Sequence, residues 1–166
     1  MKLVYTRGLG PRAARRGGSI PLSGTIYQRI MNIYFAGSIR GGRNDREIYS
    51  QVISLLSNYG VVLTEHLGQD GLSALGETMA SEAIYKRDVK WLEEAEIVVA
   101  EVSTPSLGVG YEIAKAEAIG KKIICLYRLD SDKRLSAMID GNKHVTVIKY
   151  QSVSDLKEKL VSILGN

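Results

Sequence analysis

The sequence predicts an α/β domain built on a doubly wound, five-stranded parallel sheet in the order 2-1-3-4-5. Two observations carry that expectation. Runs of continuous Val, Ile and Leu, such as "EIVVAEV" (96–102) and "KKIICLYR" (121–128), suit strands buried on both faces. These runs alternate with segments of helical spacing, without repeats or linkers, which is the rhythm of helices covering a parallel sheet.

In chain order, "NIYFAGSI" (32–39) reads as the first strand. "DREIYSQVISLLSNYG" (45–60) then sets Ile48, Val52, Leu55, Leu56 and Tyr59 at helical spacing, with Asp45 as candidate N-cap and Gly60 as the stop. "VVLTEH" (61–66) reads as the second strand, placing Glu65 and His66 at its end, and "GQDGLSALGE" (68–77) as a loop. "SEAIYKRDVKWLEEA" (81–95) is a helix, "EIVVAEV" the third strand, "GYEIAKAEAIG" (110–120) a helix and "KKIICLYR" the fourth strand. A polar loop leads to "HVTVIKY" (144–150) and the closing helix "VSDLKEKLVSIL" (153–164). The flavodoxin-like strand order has a consequence for function. Ligands of such sheets bind at the carboxyl ends of the strands where the winding direction switches, here between strands one and three. The loops "GSIRGGR" (37–43) and "STPSLGVGYE" (103–112) should therefore be neighbours.

Composition narrows the function classes. A chain of 166 residues, 45% hydrophobic and 24% charged, suits one globular domain, and no apolar run approaches the roughly 18 residues of a membrane span. The single cysteine, Cys125, excludes an internal disulfide, fits a reducing, cytoplasmic setting, and in "KIICLY" reads as a buried structural thiol. The net charge of +4 belongs to the N-terminus. Residues 1–30 carry Lys2, Arg7, Arg12, Arg15, Arg16 and Arg29 and no acidic residue. Without these six of the 22 basic residues, 16 remain against 18 acidic ones, a net −2 from Met31 onward. A nucleic-acid surface on the folded body gets no support. Residues 1–30 read as a disordered or adventitious leader, and 31–166 as one domain.

Two loops carry candidate chemistry. Gly37, Ser38, Arg40, Gly41, Gly42 and Arg43 at the mouth of the first strand suit either a turn before a solvated helix or a cradle for an anion. Ser106, Gly108 and Gly110 precede a helix expected to start near Tyr111, where free backbone N–H groups suit a phosphate, though a tight turn also explains the glycines. Glu112 falls in the first turn expected for that helix. It is either a carboxylate placed there by the helix dipole or one kept ionised as a nucleophile. Asp88 falls on the apolar stripe of Ile84, Trp91, Leu92 and Ala95, where a charge costs free energy unless an arginine partners it or a reaction uses it. Two histidines without cysteine or carboxylate spacing predict no metal, and the lack of GxGxxG and of a Walker lysine predicts no dinucleotide or other cofactor. A phosphate and two carboxylates together suggest cleavage of a glycosidic bond.

The segments "IYFAGSIRGGR", "LTEH", "DVKWLEEAEIVVAEVSTPSLGVGYE" and "LSAMI" strongly resemble the 2'-deoxynucleoside 5'-phosphate N-hydrolases of the nucleoside 2-deoxyribosyltransferase superfamily, over about residues 32–150. The resemblance implies a homodimer that hydrolyses deoxynucleoside 5'-monophosphates to free base and 2-deoxyribose 5-phosphate. It implies Glu112 as the nucleophile forming a deoxyribosyl ester and Asp88 as the acid for the departing base. Tyr34 joins them at the sugar. Substrate binding is implied for Gly37, Ser38, Ile39, Arg40, Gly41, Gly42, Arg43, His66, Ser106, Gly108 and Gly110. Ser136 of "LSAMI", with Ala137 and Met138, is implied to serve the partner subunit's site. The loop over 68–80 is expected to contact the base. Two rivals remain on the same fold: a nucleoside 2-deoxyribosyltransferase, which would not need a phosphate cradle, and a non-catalytic nucleotide sensor, which would not need Glu112 and Asp88.

Overall fold

The computed structural model describes residues 31–38, 43–68 and 79–165. Its sheet has five parallel strands in the order β2-β1-β3-β4-β5: β1 Met31–Ala36, β2 Gly60–Val62, β3 Ile97–Glu101, β4 Lys122–Arg128 and β5 Val145–Tyr150. The helices are α1 Arg43–Leu56, α2 Ser81–Glu94, α3 Leu107–Ala118, the short α4 Ala137–Asp140 and α5 Val153–Leu164. The expected topology is the observed one.

Strand alternation divides the core in two. Ile33, Phe35, Val99, Ile124 and Leu126 face one side and pack with Val52 and Leu56 of α1 and Leu156 and Leu160 of α5. Tyr34, Ala36, Val98, Ala100, Ile123 and Cys125 face the other, against Leu92 of α2 and Val109, Ile113 and Ala116 of α3. The buried thiol of Cys125 is pushed up to about 12 by burial alone, as a structural cysteine should be.

Three elements depart from expectation. The second strand stops at Val62, and a 3-10 turn spans Glu65–Gly68. Thr64 is the cause: its hydroxyl accepts from Phe35 N–H (2.9 Å) and donates to Phe35 C=O (2.7 Å), replacing the next rung of the ladder. Helix α1 begins at Arg43 and ends at Leu56, so Asp45 lies inside its first turn rather than at its cap, and Gly60 opens β2 instead of ending the helix. Asp45 is turned inward, where its carboxylate takes Arg128 and Thr104. Helix α3 begins at Leu107, earlier than the glycines suggest. Ser106 caps it, accepting from Val109 N–H at 3.4 Å, and the buried stripe Val109, Ile113, Ala116 outweighs the poor helix propensity of Gly108 and Gly110.

Candidate active site

The switch point between β1 and β3 is where the carboxylates gather. Tyr34, on the α2/α3 face of β1, donates its hydroxyl to Glu112 Oε1 at 2.7 Å. Glu112 and Asp88 line one cavity of about 150 Å³ between α2 and α3. Helical spacing brings its walls together: Tyr85, Asp88, Val89 and Leu92 from α2, and Gly108, Glu112 and Lys115 from α3. Tyr85 and Tyr111 hydroxyls stand 3.3 Å apart at its rim, with their rings 6.3 Å apart.

The electrostatics correct one expectation. Glu112 is the sixth residue of α3, beyond the first turn, so the helix dipole does little to lower its pKa. Burial dominates and, with the charge of Asp88 adding to it, pushes the Glu112 carboxyl up to about 7, although the Tyr34 hydrogen bond pulls the other way. The Tyr34 phenol is itself pushed far above its ordinary range, first by burial and then by Glu112, so it stays protonated and a donor. Asp88 is half-buried, and its Oδ1 accepts from Arg87 Nε (2.9 Å) and a terminal Arg87 nitrogen (2.8 Å). The Arg87 guanidinium sits 4.7 Å from the Trp91 ring centroid. Among the described residues, its neighbour Arg87 on the same helix is an arginine that partners Asp88.

The loops divide differently. Ile39, Arg40, Gly41 and Gly42 lie outside the described residues, as do the leader and most of the 68–80 loop; of Arg43 and His66, only the backbone is described. Gly37 has a packing reason: a Cβ there would come within 3.0 Å of the Tyr49 ring. Ser38 is buried, and its N–H donates to Tyr49 hydroxyl at 3.0 Å rather than pointing at a ligand. Gly110 N–H bonds Ser106 C=O at 3.0 Å, leaving the Leu107 and Gly108 N–H groups at the open end of α3. Ser106 and Gly110 also border a second, larger groove of about 570 Å³, shared with Arg134, Ser136 and Met138. Ala137, the first residue of α4, is exposed. Ser136 does not line the Glu112 cavity of its own chain.

Sequence reasoning missed Tyr85, Tyr111, Lys115 and Arg134. Tyr85 and Lys115 were reachable by stepping three residues along the helices from Asp88 and Glu112, and Tyr111 directly precedes Glu112. No signal marked Arg134.

The parallel 2-1-3-4-5 sheet belongs to a fold class that comparison with known proteins narrows to a family. Residues 33–147 match the nucleoside 2-deoxyribosyltransferase family model, and the chain belongs to that family. A Danio rerio 5-hydroxymethyl-dUMP N-hydrolase is 55% identical over 129 residues, 77% of this chain and 88% of the relative. The protein of that name from Tetraodon nigroviridis is 44% identical over 140 residues (82% and 99%), and the Homo sapiens one 51% over 111 (66% and 64%). The solved structure of a Clostridium botulinum CMP N-glycosidase superposes with a TM-score of 0.58 at 23% identity, over 80% of this chain and 99% of that one, and shares the fold.

Proposed function

We propose that this protein is a hydrolase of 2'-deoxynucleoside 5'-monophosphates, releasing a free base and 2-deoxyribose 5-phosphate. The observation that carries the reading is the cavity holding Glu112, fixed by Tyr34, beside Asp88. The Asp88–Glu112 pair holds one proton between them: with Glu112 ionised and the proton on Asp88, Glu112 attacks the anomeric carbon, the C–N bond breaks, and its electron pair leaves with the base, which takes that proton. Water then hydrolyses the glutamyl ester and regenerates the carboxylate. Tyr34 holds the attacking oxygen's partner in place and favours the ionised form. The Leu107 and Gly108 N–H groups, with Ser106, face the 5'-phosphate.

The site is completed by a second copy of the chain. Support comes from the groove beside α3, whose rim exposes Leu107 (96%) and Met138 (81%). Gly110 supports it too. A Cβ there would meet nothing within 4 Å in this chain, so a surface packed from outside gives a reason for a residue that costs a helix about 1 kcal/mol relative to alanine. Ser136, on this groove, would serve the partner subunit's phosphate. A transferase reading has one observation in its favour, the name of the matching family model.

Incubation with 5-hydroxymethyl-dUMP, the four common deoxynucleoside monophosphates, their nucleosides, and a nucleoside plus a second free base separates the readings by chromatography. The proposal requires free base from monophosphates and little from nucleosides. Base exchange in place of hydrolysis would contradict it.

A further inference from the structure

We infer that Thr104, Asp45 and Tyr49 are positioning residues for the 5'-phosphate pocket, acting through a buried polar network on the far side of the sheet. The inference rests on the reading of the pocket given above.

The network lies at the carboxyl edge of the sheet, on the α1/α5 face, behind the proposed phosphate loops. Arg128, at the end of β4, pairs with Asp45 of α1 and lies 3.5 Å from Glu101 at the end of β3. All three side chains are largely or wholly buried, Glu101 completely. Ser103 donates its hydroxyl to Glu101 and accepts from Arg128 N–H at 2.7 Å, and Tyr150 of β5 donates to Glu101 at 3.2 Å. Arg128 Nε has no hydrogen-bond partner among the described residues.

A buried ion network of this kind contributes little net stability, because desolvation offsets the attraction. What it does supply is fixed geometry at two outlets. Thr104 donates to Asp45 Oδ2 at 2.5 Å, which anchors the chain two residues before the Ser106 cap of α3. Tyr49, one turn beyond Asp45 in α1, accepts the Ser38 N–H and fixes the chain leaving β1. Asp45 and Tyr49 thus tie the chain ahead of the Ser106 cap and the chain leaving β1 at Ser38 to one helix. None of these three residues lines the Glu112 cavity. Loosening either tie moves the phosphate loops while leaving the reacting carboxylates in place.

The test compares wild type with Thr104→Val, Thr104→Ser and Tyr49→Phe on a deoxynucleoside monophosphate and on the matching nucleoside. Thr104→Val should raise KM for the monophosphate roughly tenfold, with kcat within about twofold and nucleoside turnover unchanged. Tyr49→Phe should do the same more weakly, and Thr104→Ser should restore the wild-type KM. Circular dichroism and thermal unfolding identify any variant that fails to fold; Thr104→Val and Tyr49→Phe each delete few atoms, so either can decide the case. A phosphate-selective wild type whose folded variants keep their KM, or lose kcat equally on both substrates, would overturn this inference alone. A wild type indifferent to the 5'-phosphate would overturn the reading of the pocket and this inference with it.

Discussion

Glu101 and Glu112 are two glutamates at the same carboxyl edge of one sheet, and burial raises the pKa of both. Their surroundings differ. Glu101 is enclosed by donors, the Ser103 N–H at 3.3 Å and the Ser103 and Tyr150 hydroxyls, with the Arg128 guanidinium as an ion-pair partner. Among the described residues Glu112 meets one donor, the Tyr34 hydroxyl, and it has the like charge of Asp88 nearby and a cavity in front. The first arrangement spends its lone pairs on holding structure. The second leaves an oxygen unspent in a desolvated place, which suits a nucleophile. The packing follows the same division. The face behind Glu101 is filled by Phe35, Leu126, Leu156 and Leu160, whereas the face bearing Glu112 uses Ala36, Ala95, Ala100 and Ala116.

The largest expected effect separates the two on rate. Glu112→Gln should lower turnover by about 10⁴-fold or more on every substrate, as loss of a nucleophile does. Asp88→Asn should cost about 10²–10⁴-fold on a natural base, the range of general acid catalysis. Much of the Asp88→Asn loss should return on a deoxyribosyl phosphate with an activated leaving group, which needs no proton. Steady-state kinetics on both substrates checks this, and equal rescue of the two variants would erase the division of labour.

Stability should move in opposite directions. Glu112 has a folded pKa of about 7 against an ordinary 4.5, so its ionisation destabilises the fold progressively between those values, fully above 7 and not at all below 4.5. Glu112→Gln should therefore stabilise at pH 8 by as much as about 3 kcal/mol, with the gain vanishing below pH 4.5. Glu101→Gln should destabilise by about 1–3 kcal/mol, because an amide N–H₂ would oppose donors wherever it turned. Urea unfolding of both variants at pH 8 and pH 4.5 measures the contrast. Two shifts of the same sign at pH 8 would break it.

The smallest effect concerns Tyr34. Tyr34→Phe removes a hydrogen bond that favours ionised Glu112, so the pH–rate profile should shift toward higher pH while the fold survives. A profile unmoved by the substitution would mean Glu112 ionisation does not govern the rate.

The sequence made the topology legible because continuous apolar strands alternate with amphipathic helices, and local pattern and tertiary packing agree there. It misled where a side chain overrode the pattern. Thr64 ended β2 by taking the backbone of Phe35, and Ser106 started α3 across two glycines. That earlier start moved Glu112 out of the first turn and changed the cause of its pKa from dipole to burial. Asp88 was visible as a charge on an apolar stripe, whereas Glu112 read equally well as a carboxylate placed by the helix dipole, and the family resemblance singled it out. The Asp45–Arg128–Glu101 network was not visible, since its members are 83 and 27 residues apart and Asp45 reads locally as a helix cap.

The central claim is that Glu112 carries the covalent step. Asp88→Asn protein mixed with a deoxyribosyl phosphate bearing an activated leaving group, acid-quenched within a few turnovers and digested, should yield a peptide containing Glu112 heavier by one deoxyribosyl phosphate. The same treatment of an Asp88→Asn, Glu112→Gln double variant should yield none. Rapid leaving-group release without an adduct on that peptide, or an adduct surviving in the double variant, would contradict the account.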